Sequence, residues 1–217
     1  MSYEHIIFDI DGTLIYTDYA ILKSLQKTIK DIQHKTVDLS SLAFALGIPG
    51  DIALKKLGFH EDSLKFVDLI WDKHYQRLKS TIKMFNGIEE MLQQLSQNGY
   101  SLGVVTSRSK SECIEDNIFN EISSYFKIQV FLDDCAEPKP SPTPLLTYLE
   151  KANIERNVAL YVGDSIYDAT CAENACIDFV LATWGTQNPN SIIHTVKNTM
   201  CICKKATDIL LFLEKRK

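Results

Sequence analysis

Hydrophobic and polar residues alternate with two different periods, and the change of period divides the chain. Residues 5–9 form a short apolar segment that ends in a carboxylate, which is typical of a buried strand. From there to about residue 80, apolar residues recur at intervals of three or four, which predicts helices. We expect four helices, marked by these apolar positions: Ile21, Leu22, Leu25, Ile29 and Ile32; Leu39, Leu42, Phe44 and Leu46; Ile52, Leu54 and Leu57; Leu64, Val67, Ile70, Trp71, Tyr75 and Leu78.

The remainder of the chain predicts strands and helices in alternation. We expect strands over 101–106, 128–132, 158–163 and 179–182, and helices between Asn86 and Gly99 and over 109–122, 143–151, 166–175 and 206–215. Alternation with strands that are apolar throughout indicates a parallel α/β sheet of the Rossmann-like kind. We therefore predict an α/β core of residues 1–15 and 81–217, interrupted by an inserted all-α module of residues 16–80.

The polar segment with the most information follows the first strand, in Asp9-Ile10-Asp11-Gly12-Thr13. Carboxylates two residues apart at the end of a strand point to the same side. They repel each other without a cation, and oxygen ligands of this kind suit Mg²⁺. They also suit a nucleophile that works with a general acid/base. Taken alone, the segment is explained equally well by a strand followed by an Asp-Gly turn.

Three later segments bring reactive groups in a fixed order. Thr106-Ser107-Arg108 ends one predicted strand, Lys139 lies among prolines, and Gly163-Asp164 ends another strand with Asp168 one helical turn further on. In this order the four segments resemble the signature of the haloacid dehalogenase-like superfamily, in its phosphohydrolase branch, over residues 9–168. The resemblance implies a Rossmann-like core with a small helical cap, as in phosphoglycolate phosphatases and β-phosphoglucomutases.

The resemblance also implies roles for individual side chains. Asp9 would attack phosphorus and form an aspartyl-phosphate, and Asp11 would serve as general acid/base. Mg²⁺ would be held by Asp9, the backbone carbonyl of Asp11, and Asp164. Asp168 would support the site by orienting Lys139 or a water of the metal.

Phosphate binding falls, by the same resemblance, to Thr106, Ser107 and Lys139. Their hydroxyl, N–H and ammonium groups would stabilise charge on the phosphoryl oxygens. Each side chain also has an ordinary structural explanation. Thr106 alone suggests a cap for the helix that follows it, Lys139 alone suggests a surface lysine, and Asp164 alone suggests a helix N-cap.

The cap offers candidates for substrate contact. The segment from Gly47 to Gly50 precedes a predicted helix with Lys55 and Lys56, and it resembles the cap loop of phosphoglycolate phosphatase-like relatives. A helix N-terminus there would bind an anionic group of the substrate. A plain interhelical turn remains an equal alternative. Arg108, beside the phosphate-binding pair, is a further candidate for substrate contact.

Composition narrows the class of partner. The 217 residues carry a net charge of −5, with 45% hydrophobic and 24% charged residues, as in ordinary globular proteins. Because there is no basic footprint, we expect no nucleic acid partner. No apolar stretch approaches about 18 residues, so we expect no membrane span. The N-terminus lacks a secretory signal, and the six cysteines are then expected to be reduced, which places the protein in the cytoplasm.

The resemblance implies a Mg²⁺-dependent phosphatase that hydrolyses a small soluble phosphorylated metabolite through an aspartyl-phosphate. An intramolecular phosphomutase of the β-phosphoglucomutase type uses the same groups and stays an alternative. Relatives of that type more often carry Val at the position of Thr13, which favours hydrolysis. A non-catalytic regulator is a weaker alternative, because Asp9, Asp11, Lys139 and Asp164 are all retained. The sequence predicts neither the physiological substrate nor the oligomeric state.

Overall fold

The computed structural model describes residues 3–186, 189–194 and 196–216. Within them the strands are β1 (His5–Phe8), β2 (Ile15–Tyr16), β3 (Lys83–Met84), β4 (Ser101–Val105), β5 (Phe126–Val130), β6 (Ala159–Gly163), β7 (Asp178–Ala182) and β8 (Thr199–Cys203). The α-helices are α1 (Asp18–Gln33), α2 (Gly50–Lys56), α3 (Leu64–Gln76), α4 (Ile88–Gln97), α5 (Lys110–Ile114), α6 (Asn117–Ile122), α7 (Thr143–Ala152), α8 (Ile166–Ala175), α9 (Pro189–Ile193) and α10 (Asp208–Glu214).

Six strands form one parallel sheet in the order β5-β4-β1-β6-β7-β8. The chain places β4 and β5 on one side of β1, and β6, β7 and β8 on the other. Ligands of such sheets bind at the carboxyl ends of the strands where the order reverses, which here is beside β1. The predicted α/β class is therefore confirmed, and the topology points to the ends of β1, β4 and β6.

Both faces of the sheet are buried, because successive side chains of each strand enter different hydrophobic clusters. Ile6 and Phe8 belong to the cluster that includes Leu92 of α4, whereas Ile7 belongs to the cluster that includes Tyr148 of α7. This double burial explains why the strands read as continuous apolar runs.

The cap helices α1, α2 and α3 pack around a third cluster of their own, which contains Leu25, Leu54 and Val67. A two-stranded antiparallel ribbon joins this layer to the sheet, with Ile15 paired to Met84. Strand β2 straddles the predicted boundary at residues 15/16, and β3 begins shortly after the predicted boundary at 80/81. That division stays a prediction.

Two predicted helices differ in the structure. Residues Leu39–Ala45 form a 3₁₀ helix rather than an α-helix. Ser41 Oγ donates to the Asp38 carbonyl, so local side-chain bonding competes with the α-helical pattern there. The helix predicted over 109–122 is divided into α5 and α6, because the Asp116 carboxylate accepts the N–H groups of Ile118 and Phe119 and starts a new helix.

Smaller differences concern element ends. Strand β5 begins at Phe126, two residues before the predicted start, in register with Leu102 of β4. Gly87 rather than Asn86 precedes α4, and no sequence pattern predicts the two-residue strands β2 and β3. In β8, which pairs with β7, the Cys201 and Cys203 thiols lie 3.7 Å apart. All six cysteines lie in the described part of the chain and are free.

No helix of residues 3–186, 189–194 and 196–216 is long and apolar enough to cross a bilayer.

Candidate active site

The polar residues predicted from the sequence meet at the carboxyl edge of the sheet. Asp9 directly follows β1, Thr106 follows β4, and Asp164 follows β6. Lys139 comes from the loop before α7. All four are buried, with 9% exposure at most, although each carries a charge or a hydroxyl. Buried charges are retained only with partners, so their contacts define what the site does.

Lys139 lies at the centre of a buried charge cluster. Its ammonium Nζ donates to Asp9 Oδ1 and to Asp168 Oδ1, both at 2.7 Å, and to the Tyr161 hydroxyl at 3.0 Å. Burial alone lowers the pKa of Lys139, but Asp168 and Asp9 outweigh it and hold that pKa well above its usual value. Lys139 is therefore a fixed positive charge beside Asp9 and not a surface lysine.

Asp168 is held by donors on every side. Oδ1 accepts from Lys139 and from the Tyr161 hydroxyl, at 2.7 Å each, and Oδ2 accepts from Ser165 Oγ at 2.5 Å and Ser165 N at 3.1 Å. Burial raises the pKa of Asp168, yet Lys139 and these hydrogen bonds keep it below its usual value. Asp168 is thus an ionised acceptor that fixes the ammonium of Lys139.

The carboxylates around Asp9 suit a divalent cation. Oxygens of Asp9, Asp164 and Asp168 all lie within 4.8 Å of one another. Burial raises the pKa of Asp9 to about 7, although Lys139 opposes this, and burial with Asp168 and Asp9 raises the pKa of Asp164 well above its usual value. Such shifts show that burial, and after it the neighbouring carboxylates, disfavours the ionised forms of Asp9 and Asp164, and a hard cation with oxygen ligands such as Mg²⁺ would offset this. Since Asp168 is saturated with donors, Asp9 and Asp164 are the carboxylates with oxygens to spare.

Gly12 is required where it stands for two reasons. Its φ of +77° lies in the left-handed region, and a Cβ there would lie 2.3 Å from Asp164 Oδ2. The turn after Asp11 therefore brings the backbone against Asp164, whose Oδ1 also accepts from Thr13 Oγ1 at 2.9 Å. The Asp-Gly turn predicted from the sequence is thus part of the candidate site. The turn and the site are therefore not competing interpretations of this segment.

Asp11 has partners that Asp9 does not share. Its two oxygens accept from Arg108 Nε at 2.7 Å and Nη2 at 2.6 Å, and Thr17 Oγ1 donates to Oδ1 at 2.6 Å. Burial raises the pKa of Asp11, but the charge and hydrogen bonds of Arg108 outweigh it and lower that pKa. Strand β1 ends at Phe8, so the alternation that predicted a common direction for Asp9 and Asp11 does not extend to them.

Arg108, predicted as a candidate for substrate contact, lies between two carboxylates, and its contact with substrate stays a prediction. Besides the bidentate pair with Asp11, its Nη1 donates to Asp116 Oδ2 at 2.6 Å. The guanidinium is buried and bridges two carboxylates, so it is a structural partner of Asp11 in this conformation. The sequence around Arg108 does not predict these ion pairs, because Asp116, one of the two partners, lies at the start of a separate helix, α6.

The neighbouring hydroxyls have specific partners. Thr106 Oγ1 accepts from the backbone N–H of Arg108 at 3.2 Å, while Ser109 and not Thr106 caps α5. Ser165 and not Asp164 caps α8. The simple helix-cap explanations of Thr106 and Asp164 are therefore wrong.

One cap loop reaches the carboxyl edge of the sheet. The Gly47 carbonyl accepts from Ser107 Oγ at 3.1 Å, and a Cβ on Gly47 would lie 3.0 Å from Ser165 Oγ. Nearby, Lys56 Nζ donates to the Tyr167 hydroxyl at 3.2 Å, which links the cap to α8. The cap thus covers the site on the side of Ser107 and Ser165.

The other two cap candidates, Gly50 and Lys55, lie beside residues of the cap. Gly50 is the first residue of α2 and lies beside Trp71. Lys55 forms ion pairs with Asp51 at 3.5 Å and Glu61 at 3.2 Å, both on the exposed surface. Of the two lysines, Lys56 is the one that the structure brings to the core.

Sequence reasoning missed several residues of the site. Tyr161 lies inside the apolar run of β6, where the pattern predicts only a core position, and Thr17 and Asp116 belong to no motif. Trp184, after β7, donates its indole N–H to the Thr13 carbonyl at 2.9 Å. The one available signal was the Ser165-x-x-Asp168 spacing, which predicts a capping box and is observed as one.

Fold and site together define a hydrolase of the haloacid dehalogenase-like class. The chain belongs to this family, since the family model described as haloacid dehalogenase-like hydrolase matches residues 6–182. It is a phosphatase-type enzyme, because relatives that match it over most of their length are named phosphatases or pyrophosphatases.

Individual relatives extend this likeness. The phosphoglycolate phosphatase of Aquifex aeolicus is 32% identical over 193 residues, covering 87% of this chain and 88% of its own. The pyrophosphatase PpaX of Bacillus anthracis is 27% identical over 222 residues, covering 98% and 97%. A protein from Lactobacillus plantarum, provisionally named a phosphoglycolate phosphatase, has a crystal structure that matches this chain with a TM-score of 0.84. The two sequences are 28% identical, and the match covers 98% of this chain and all of the other.

Proposed function

We propose that this protein is a Mg²⁺-dependent phosphatase that hydrolyses a small phosphate monoester through a phosphorylated Asp9. The observation that carries the proposal is the buried contact of 2.7 Å between Asp9 Oδ1 and Lys139 Nζ, at the carboxyl end of β1. A carboxylate beside a fixed ammonium, at the strand edge where ligands bind, is placed to attack a phosphoryl group.

Asp9 and its neighbours divide the chemistry. Oδ1 of Asp9 accepts a hydrogen bond from Lys139. Oδ2 therefore forms the covalent bond to phosphorus while the bond from phosphorus to the ester oxygen breaks. The ammonium of Lys139, the hydroxyl of Thr106 and the N–H of Ser107 stabilise charge on the phosphoryl oxygens. Water then attacks the aspartyl-phosphate, releases phosphate and restores Asp9.

Asp11 handles the protons in this scheme. It gives a proton to the departing ester oxygen and takes one from the attacking water in the second step. Mg²⁺, held by Asp9, Asp164 and the Asp11 carbonyl, would screen the negative charge of the nucleophile and the phosphoryl group as they approach.

The named relatives suggest which substrates to try first. Phosphoglycolate is an alkyl monoester with a carboxylate, and pyrophosphate is an anhydride whose leaving group is phosphate. We expect hydrolysis of the monoester class, with phosphate released into solution. A phosphomutase would instead isomerise a sugar phosphate without net release, so measuring free phosphate separates the two functions.

The decisive experiment replaces the nucleophile. Asp9→Asn removes the attacking oxygen charge, and we expect a loss of several orders of magnitude in kcat, because the chemical step depends on it. Asp38→Asn is the matched control, since Asp38 is exposed and its side chain caps nothing. Acid-quenched wild-type enzyme should carry label from ³²P-substrate on Asp9. A folded Asp9→Asn enzyme that retains more than a few per cent of the wild-type rate would exclude Asp9 as the nucleophile.

A further inference from the structure

Helix α3 carries large apolar side chains on its exposed side. Its inner residues Val67 and Trp71 pack into the cap cluster. Phe66 and Leu69, in contrast, are 62% and 70% exposed. Isolated exposed apolar residues are ordinary, whereas Phe66 and Leu69 adjoin on one helix face and form a small exposed apolar surface.

The exposed residues follow the spacing of a coiled coil. Steps of three and four residues lead along one side of α3 through Phe66, Leu69, Lys73 and Gln76, and Asp62 lies four residues before Phe66 in the 3₁₀ turn that precedes the helix; we name these five positions the α3 seam. These are the a and d positions of a heptad, the ones that insert into a facing helix. Ile32 and Ile70 border the seam and, with Phe66, line a groove of about 480 Å³. The groove adjoins the seam at Phe66 and Lys73.

The charges of the seam identify which helix fits. Asp62, just before α3, is acidic, and Lys73, near its end, is basic. Glu61 already pairs with Lys55, whereas no ion pair joins Asp62 or Lys73 to another residue in the described part of the chain. A helix that runs antiparallel with the opposite order of charge complements both ends, and a second α3 has this order.

We propose that the α3 seam docks a second copy of this chain and forms a two-fold symmetric dimer through antiparallel α3 helices. In this arrangement Phe66 faces Leu69 of the second copy, and Asp62 faces Lys73 of the second copy, each contact occurring twice by symmetry. The apolar pair lies at the centre and the ion pairs at the two ends, as in stable interfaces. No residue of the seam belongs to the candidate active site, so each subunit keeps a complete site.

Sedimentation velocity over a series of concentrations tests the docking. We expect the wild-type chain to dimerise, and Leu69→Glu to stay monomeric because it sets a carboxylate against Phe66 of the second copy at both apolar contacts. Leu211→Glu is the matched control: Leu211 is 56% exposed on α10, remote in sequence and on the core, and its variant should dimerise like the wild type. Both variants should keep the wild-type circular dichroism spectrum and the wild-type kcat per subunit.

Charge exchange tests the antiparallel pairing itself. Asp62→Lys and Lys73→Asp should each weaken the dimer, since each single variant sets like charges against each other at both ends. An equimolar mixture of the two should form a heterodimer, and the double variant should recover the homodimer. A wild-type monomer at every concentration up to its solubility limit, a dimer that survives Leu69→Glu, or a mixture that stays monomeric would each overturn the proposal.

Discussion

Replacing Arg108 by lysine should uncouple Asp11 from its support while keeping a positive charge. The guanidinium makes three charge-assisted hydrogen bonds, two to Asp11 and one to Asp116, at 2.6–2.7 Å. A lysine ammonium is a point donor and does not reproduce the planar fork that bridges two carboxylates. We therefore expect Arg108→Lys to lose two of the three bonds.

The size of the effect follows from the burial of the group. Side-chain exposure is 9% for Arg108 and 19% for Asp11, so solvent screens the pair little. Hydrogen bonds to charged groups contribute about 1.5–3 kcal/mol each, which gives a loss of about 3–6 kcal/mol in the free energy of unfolding as an upper range. Loss of one bond that orients Asp11 in the transition state should lower kcat by about ten- to a hundredfold.

Denaturant unfolding and steady-state kinetics on para-nitrophenyl phosphate measure the two effects. Arg156→Lys is the matched control, because Arg156 is exposed and forms no ion pair with any described residue. Since Arg108 lowers the folded-state pKa of Asp11, the pair contributes stability above the unfolded value of about 4. That contribution is lost as the pH falls through the folded-state pKa, so the difference between wild type and variant should shrink in acid. An Arg108→Lys protein with wild-type stability within about 0.5 kcal/mol and unchanged kcat would refute the reasoning.

Three further outcomes are expected. Excess chelator should abolish turnover, Mg²⁺ should restore it and Ca²⁺ should restore it poorly, as phosphate-release assays would show; full activity in chelator would exclude the metal. Asp11→Asn with an aryl phosphate should give a burst and a trapped phosphoenzyme in rapid-quench experiments, because a phenolate leaves without a proton while water still needs a base; equal loss in both steps would point to another acid/base. Lys56→Ala should change relative kcat/KM among natural substrates while Lys55→Ala should not, since only Lys56 contacts the core; identical profiles for both variants would remove the cap lysines from selectivity.

The sequence was most informative where an apolar strand pattern ends in a reactive side chain. Apolar runs that end in Asp9, Thr106 and Asp164 predicted both the parallel sheet and the edge at which these residues meet, because parallel strands share one carboxyl edge. Lys139 has no periodic context, and only the resemblance to a family placed it in the site. Its burial between Asp9 and Asp168 is a property of the packed loop before α7, which no local pattern records.

Partners that lie far apart along the chain were beyond the reach of the sequence. Tyr161 looks like any other apolar position of β6, and its hydroxyl becomes informative only when Asp168 is found 2.7 Å away. Asp116 is the N-cap of α6 in the structure, and its second contact, with Arg108, depends on how α5 and α6 separate. When a side chain has two contacts, its neighbours in the sequence can predict only the contact within its own strand or helix.

The contacts of Asp11 bear directly on the choice of substrate. An acid that protonates a leaving group must first carry a proton, whereas Arg108 and Thr17 stabilise its ionised form. The second half-reaction, in which Asp11 accepts a proton from water, is therefore served by the observed conformation, and the first is opposed by it. Leaving groups that depart without a proton, such as a phenolate or the phosphate of pyrophosphate, avoid this conflict, whereas an alkyl ester such as phosphoglycolate requires Asp11 to be protonated against the pull of Arg108. A series of phosphate esters with increasingly basic leaving groups should therefore show a steep fall in the rate of Asp9 phosphorylation, and a flat series would mean that Arg108 releases Asp11 when substrate binds.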